Sequence, residues 1–110
     1  MEGFVKGDVV ILEFPFSNLM EAKRRPSLVI KVPKGDDLIV CQITGLPYEK
    51  SVEISIKLED FHKGSLKVNS YVRMDKIFSI EKSLIKYKAG SLKQDKFNEI
   101  IDKICSFLKN

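Results

Sequence analysis

The stretch Lys23-Arg24-Arg25-Pro26-Ser27-Leu28-Val29-Ile30 joins three cations to a proline and then to an apolar, β-branched run. Proline fixes its own φ and pushes the preceding residue toward extended backbone. The sequence therefore predicts Arg25 at the entrance of a strand, where its cation is aimed instead of swinging on a loop. A solvated basic turn ahead of a core strand is the plainer reading of the same residues, and the flanking sequence has to separate the two.

Upstream, Gly7-Asp8 opens a first strand, Val9 to Phe14, apolar enough to be buried along most of its length, and Pro15 ends it. Phe16 to Arg25 shows no clean periodicity and is long for a loop in so small a domain. Downstream, the second strand runs from Ser27 to Val32. Pro33-Lys34-Gly35-Asp36-Asp37 carries turn chemistry, and Leu38 to Ile43 reads as a third strand paired antiparallel to the second. Antiparallel pairing brings the start of one strand to the end of its neighbour, so Arg25 and Thr44, which closes the third strand before Gly45, are expected side by side.

Val52 to Ile56 alternates with period two as a fourth, half-exposed strand. Leu58 to Gly64 reads as a polar turn holding the sole histidine, His62, beside Phe61. Val68 to Met74 is a fifth strand, and Ile77 to Ile80 either continues it past a bend or starts a sixth. Ile85 to Ala89 reads as a short edge strand blunted by lysines and stopped by Gly90. From Ser91 the period changes to that of a helix. Ser91 with Gln94 suggests a capping box, and Phe97, Ile100, Ile101, Ile104, Phe107 and Leu108 form one apolar face over roughly 92–108. Short strands followed by one terminal helix predict a mainly β fold, a small and strongly bent sheet or barrel with the helix packed against it.

At 110 residues the chain is expected to be one domain, 1–110. Its formal charge of +4 is unevenly placed. Residues 61–110 carry 11 Lys/Arg against 5 Asp/Glu, whereas residues 1–60 carry 8 against 10. A polyanion or an acidic protein segment is a fitting partner for the second half. Cys41 and Cys105 stand far apart with no metal-ligand spacing, which predicts a reducing cytoplasm. No signal peptide or membrane span is evident.

The catalytic inventory is thin: one histidine, no Ser-His or Cys-His spacing, no phosphate loop, no metal cluster. A cation-based site remains. The planar fork of arginine matches two phosphate oxygens and stays charged at working pH, so Arg25 suits a phosphodiester, and Thr44 can add a hydroxyl. Arg73 and Lys76 extend the positive surface, and Phe14, Phe16 and Phe61 are aromatic candidates for base stacking.

Gly7-Asp8-Val9-Val10, Phe14-Pro15-Phe16-Ser17-Asn18-Leu19, the Lys23 to Ile30 stretch, Asp37 to Thr44 and Val72 to Ile80 together resemble, in order, the MazF/PemK toxin family. The resemblance covers nearly the whole chain. It implies a small SH3-like barrel of about six to seven strands with a C-terminal helix, of the plasmid maintenance toxin type, usually a homodimer. It also implies a cytoplasmic endoribonuclease toxin, an mRNA interferase that cleaves single-stranded RNA without a metal or cofactor.

Carried over, Arg25 and Thr44 are the catalytic pair, and Lys23, Arg24, Phe16, Asn18, Arg73 and Lys76 are RNA-binding. The ribose 2′-hydroxyl would attack the adjacent phosphorus, leaving a cyclic phosphate and a 5′-hydroxyl. The expected partner is an acidic antitoxin that blocks the RNA surface, with operator DNA as a further partner of the toxin–antitoxin pair. Gly45 stands where many members have serine, and Leu19, Met20 and Ala22 make the first loop more apolar. The alternative reading is a non-catalytic nucleic-acid-binding module, for DNA or RNA, of the same fold. A third is a barrel that binds an acidic peptide.

Overall fold

A computed structural model of the chain describes residues 3–14 and 23–110. The strands are β1 (Asp8–Phe14), β2 (Lys23–Lys31), β3 (Asp37–Thr44), β4 (Glu53–Ile56), β5 (Phe61–Gly64), β6 (Ser70–Glu81) and β7 (Ile85–Leu92). A single helix, α1 (Gln94–Lys109), follows them. The strands form one sheet in the order β4-β6-β3-β2-β1-β7-β5, and every neighbouring pair is antiparallel. The architecture is mainly β, a curled half-barrel with a C-terminal helix, as the period-two segments and the change of period after Ser91 predict.

The curled sheet has an apolar cluster on each face. Val9, Leu28, Cys41, Ile43 and Val72 pack with Phe97, Ile100 and Ile104 of α1. On the other face Val10, Leu12, Val29, Leu38, Val40 and Ile80 form a second cluster. Strands buried on both faces read as continuous apolar runs instead of alternating ones, which is why Val9-Val10-Ile11-Leu12 has no polar gap. Gly35, with φ of 104°, makes the β2–β3 turn in the left-handed region that glycine tolerates.

Six local expectations are corrected. The polar turn predicted over Leu58 to Gly64 contains β5, and Phe61 lies in the core, where it cannot stack on a base. β7 is not an edge strand: it sits between β1 and β5, and its lysines, exposed as expected, make ion pairs with β1, Lys88 to Asp8 at 3.2 Å and Lys86 to Glu13 at 2.9 Å. Gly90 does not stop β7, because it lies opposite Gly64 of β5, where neither strand can carry a side chain.

The Ser91–Gln94 capping box does not form. The N-cap is Lys93, and the Ser91 hydroxyl instead donates to Asp8 Oδ1 at 2.8 Å, a stronger claim on it because Asp8 is buried and its carboxylate requires partners. Finally, β2 begins at Lys23, so Arg25 lies inside the strand and not at its entrance. The segment Ser70–Glu81 is one strand with a bend: three extra residues accumulate in β6 between the Ile43–Val72 and Cys41–Ile77 pairs. Leu108, expected on the buried face of α1, is exposed.

Candidate nucleic-acid interface

Pairing between β2 and β3 runs Ser27 to Gln42, Leu28 to Cys41 and Val29 to Val40. The ladder ends there; two further residues in the same register would bring Arg25 opposite Thr44. On its other side Arg25 is paired with Leu12 of β1, and Thr44 is paired with Tyr71 of β6, which in turn faces Ser55 of β4. Paired residues share a face of a sheet. Leu12 thus shares a face with Arg25, and Thr44 with Tyr71 and Ser55, and alternation along β2 and β3 from the Ser27–Gln42 pair puts both sets on the same face of the sheet.

Arg25 is half-buried and, among the described residues, has no ion-pair or hydrogen-bond partner. A guanidinium in that position is available to an external anion. The Thr44 hydroxyl makes only long contacts, accepting from Leu46 N at 3.3 Å and donating to Leu46 O at 3.4 Å. Such contacts sit at the limit of hydrogen bonding, so the hydroxyl can turn to a better acceptor at little cost. Two residues along from Arg25, on the same face, Ser27 is fully buried and its Oγ has no partner among the described residues.

The basic stretch does not act as one cluster. Successive side chains of a strand point to opposite faces, and Arg24 accordingly leaves the Arg25 face, reaching Glu13 at 4.0 Å. Glu13 also holds Lys86, whose hydrogen bond, with Arg24 adding a smaller pull, keeps the Glu13 carboxyl below the usual range. Lys23 pairs with Phe14 in the β1–β2 ladder. Phe16 and Asn18 lie outside the described residues.

Arg73 is on β6, two residues from Tyr71, and its charge is already matched. Nε donates to Asp75 Oδ1 at 2.8 Å and Nη2 to Oδ2 at 2.7 Å. This fork raises the Arg73 pKa and lowers that of Asp75. Arg73 also lies under the ring of Tyr48, with the guanidinium carbon 4.1 Å from the ring centre. To bind a phosphate it would have to give up Asp75. Lys76 is exposed in the same bend.

Cys41, beneath this face, donates from Sγ to Arg73 O at 2.9 Å, and burial, with a smaller push from Asp75, lifts its thiol pKa to about 12. It is structural. His62 is exposed on β5, away from Arg25. Among the described residues no three His, Cys, Asp or Glu side chains converge to hold a metal ion, and no helix is long and apolar enough to cross a membrane.

Tyr48 and Tyr71 escaped the reading of the sequence. The aromatic of Leu46-Pro47-Tyr48 just after Thr44 is a signal for the first. For Tyr71 nothing short of the β3–β6 register would serve.

The same architecture recurs in solved structures. An endoribonuclease in complex with its cognate antitoxin, from a mycobacterial species, matches with a TM-score of 0.72 at 16% identity, over 99% of this chain and 96% of that one. The Mycobacterium tuberculosis toxin MazF-mt6 matches with a TM-score of 0.72 at 17% identity, over 93% and 96%. A MazE–MazF complex from Deinococcus radiodurans gives 0.71 at 22% identity, over 94% of each chain. At these identities the likeness is one of fold. No curated protein matches by sequence at a significant level. The family model that matches is that of the PemK-like, MazF-like toxins, over residues 5–108. With nearly its whole length so matched, the chain belongs to the PemK-like, MazF-like toxin family of type II toxin–antitoxin systems.

Proposed function

We propose that this protein is a toxin endoribonuclease that cleaves single-stranded RNA, with Arg25 and Thr44 at the scissile phosphate. The observation that supports the pair is the β2–β3 register, which, carried on by two residues, would bring a half-buried guanidinium, without a partner among the described residues, beside a weakly held hydroxyl. Family membership and the endoribonucleases among proteins of the same fold support the reaction class.

In this reading the ribose 2′-oxygen forms a bond to phosphorus and the bond to the 5′-oxygen breaks. The 2′-proton is lost, the leaving oxygen gains one, and the products are a cyclic phosphate and a 5′-hydroxyl. Arg25 stabilises the charge that accumulates on the phosphorane oxygens and Thr44 donates to one of them. No step calls for a metal or cofactor. Arg25 is fixed for this task by its place inside β2, flanked by β1 and β3. Lys23 and Lys76 would track the RNA backbone, and Phe16 and Asn18 would meet bases.

The same face is the one an acidic antitoxin would cover, drawn by the basic surface. A cytoplasmic, single-domain homodimer acting with its antitoxin on operator DNA belongs to the same proposal. Incubating the purified protein with a long mixed-sequence RNA in excess chelator, with Arg25→Ala alongside, tests it. Cleavage that disappears in the variant while the circular dichroism spectrum is unchanged is the expected result. Salt-sensitive binding without any cleavage would replace it with the non-catalytic module.

A further inference from the structure

We infer that Tyr48 is a preformed stacking platform for a nucleobase of the RNA, flanking the phosphate held at Arg25 and Thr44. The inference deepens the proposed endoribonuclease function and rests on it.

Tyr48 is 70% exposed, yet its ring is held. Arg73 lies against one face at 4.1 Å, and the Arg73 side chain is only 11% exposed beneath it. Asp75 pins the guanidinium with two short bonds. The backbone of Tyr48 is fixed as well: Tyr48 N and Glu49 N both donate to Glu53 Oε1, at 2.6 and 2.8 Å, and Glu53 is paired with Arg73 across β4 and β6. Two carboxylates and a largely covered arginine thus hold one aromatic ring whose outer face is left to solvent.

Ordering an exposed aromatic in advance lowers the entropic cost of binding. Such a ring accepts any base by its π-face, which is how proteins grip unpaired nucleotides. The cation behind the ring draws electron density from it, which suits stacking by an electron-rich base, and purines offer the larger overlap. Leu46, two residues before Tyr48 in the chain, and Val68 are exposed apolar side chains. Val68 Cγ2 is 3.8 Å from where a Cβ on Gly45 would stand, so Val68 borders the Thr44–Gly45 corner. Arg25 on β2 and Arg73 on β6 are separated by β3 and offset by two residues along the strands, about 12 Å at ordinary strand spacing and rise, so a base on Tyr48 belongs to a nucleotide close to the phosphate at Arg25.

The chain has no tryptophan, so Tyr48→Trp places a unique fluorophore at the platform. Titration of this variant with 2′-O-methyl RNA of mixed sequence, which cannot undergo 2′-attack, is expected to quench its fluorescence saturably and less tightly at higher salt. In cleavage assays of the otherwise unaltered enzyme, Tyr48→Ala should raise KM about tenfold or more with kcat changed little, and Tyr48→Phe should restore KM. Unquenched tryptophan, or a KM and cleavage-site pattern unaltered in Tyr48→Ala, overturns the inference. Quenching by an acidic peptide but not by RNA also overturns it and makes the platform a protein contact. If the native chain cleaves no RNA, the proposed function fails, while the quenching experiment still reports separately on the platform.

Discussion

Ser27 lies directly opposite Gln42 in the β2–β3 pair, and this one pairing decides which residue of β3 comes to Arg25. Slipping the register by a single residue would turn Thr44 to the other face of the sheet. If Arg25 and Thr44 serve one phosphate, their effects are coupled. Arg25→Ala is expected to lower kcat/KM by about 10²-fold or more, Thr44→Val by less, and the double variant by clearly less than the product of the two. Multiplicative losses in single-turnover cleavage would show that the two residues act apart.

Gly45 has space beside it. Among the described residues a Cβ there would meet only Val68 Cγ2, at an ordinary 3.8 Å. Gly45→Ser is therefore expected to change unfolding free energy by no more than about 0.5 kcal/mol in urea denaturation, and to leave RNA cleavage intact or raise it by adding a hydroxyl beside Thr44.

Gly64 and Gly90 have no such freedom. A Cβ on Gly90 would stand 2.5 Å from Lys63 O, and one on Gly64 would run into Ala89 O from a backbone at φ of +59°. Either alanine substitution must push β5 away from β7. We expect each to cost about 2 kcal/mol or more, read as a lowered urea midpoint, with β5 losing amide-exchange protection first.

The two cysteines should separate by reactivity. Cys105 is exposed on α1, whereas Cys41 is buried, bonded to Arg73 O, and has its pKa lifted to about 12. Since the thiolate is the reacting species, a thiol reagent at pH 8 should modify one equivalent in the native protein and a second only on unfolding. Rapid modification of both in the native protein would contradict the packing around Cys41.

Asp75 gives a pH signature. Its pKa lies below the ordinary aspartate value of 3.8, first because of the hydrogen bonds from Arg73. A carboxyl lowered on folding contributes stability that is complete above its unfolded value and lost as pH falls through the folded one. Asp75→Asn should therefore lower the melting temperature at pH 6, and the gap to the native chain should close below about pH 3.8. Asp75 is partly exposed, so added salt should narrow the gap at pH 6.

Much of this was legible in the order of residues. Period-two and period-3.6 patterns mark β4 and α1 because alternation and helical spacing are local properties of the chain, and the turn at Gly35 makes β2 and β3 neighbours for the same reason. The expectation that Arg25 and Thr44 lie side by side rests on that turn. β5 was not legible: Phe61-His62-Lys63-Gly64 has one apolar residue, and it forms a strand only because β7 offers it an edge at Gly90. The same holds for Ser91, claimed by buried Asp8 instead of by the helix.

The sequence by itself determined the fold class and the family and singled out Arg25 as a candidate, since these follow from short-range pattern and composition. Only the tertiary structure decided that Arg24 leaves the Arg25 face, that Arg73 is neutralised by Asp75, and that Tyr48 stands over it. Each of these depends on side-chain direction and on partners brought together by strand register. The bend that lets Arg73 fork onto Asp75 arises from three residues that β3 does not match, a mismatch that exists only once β3 and β6 are paired.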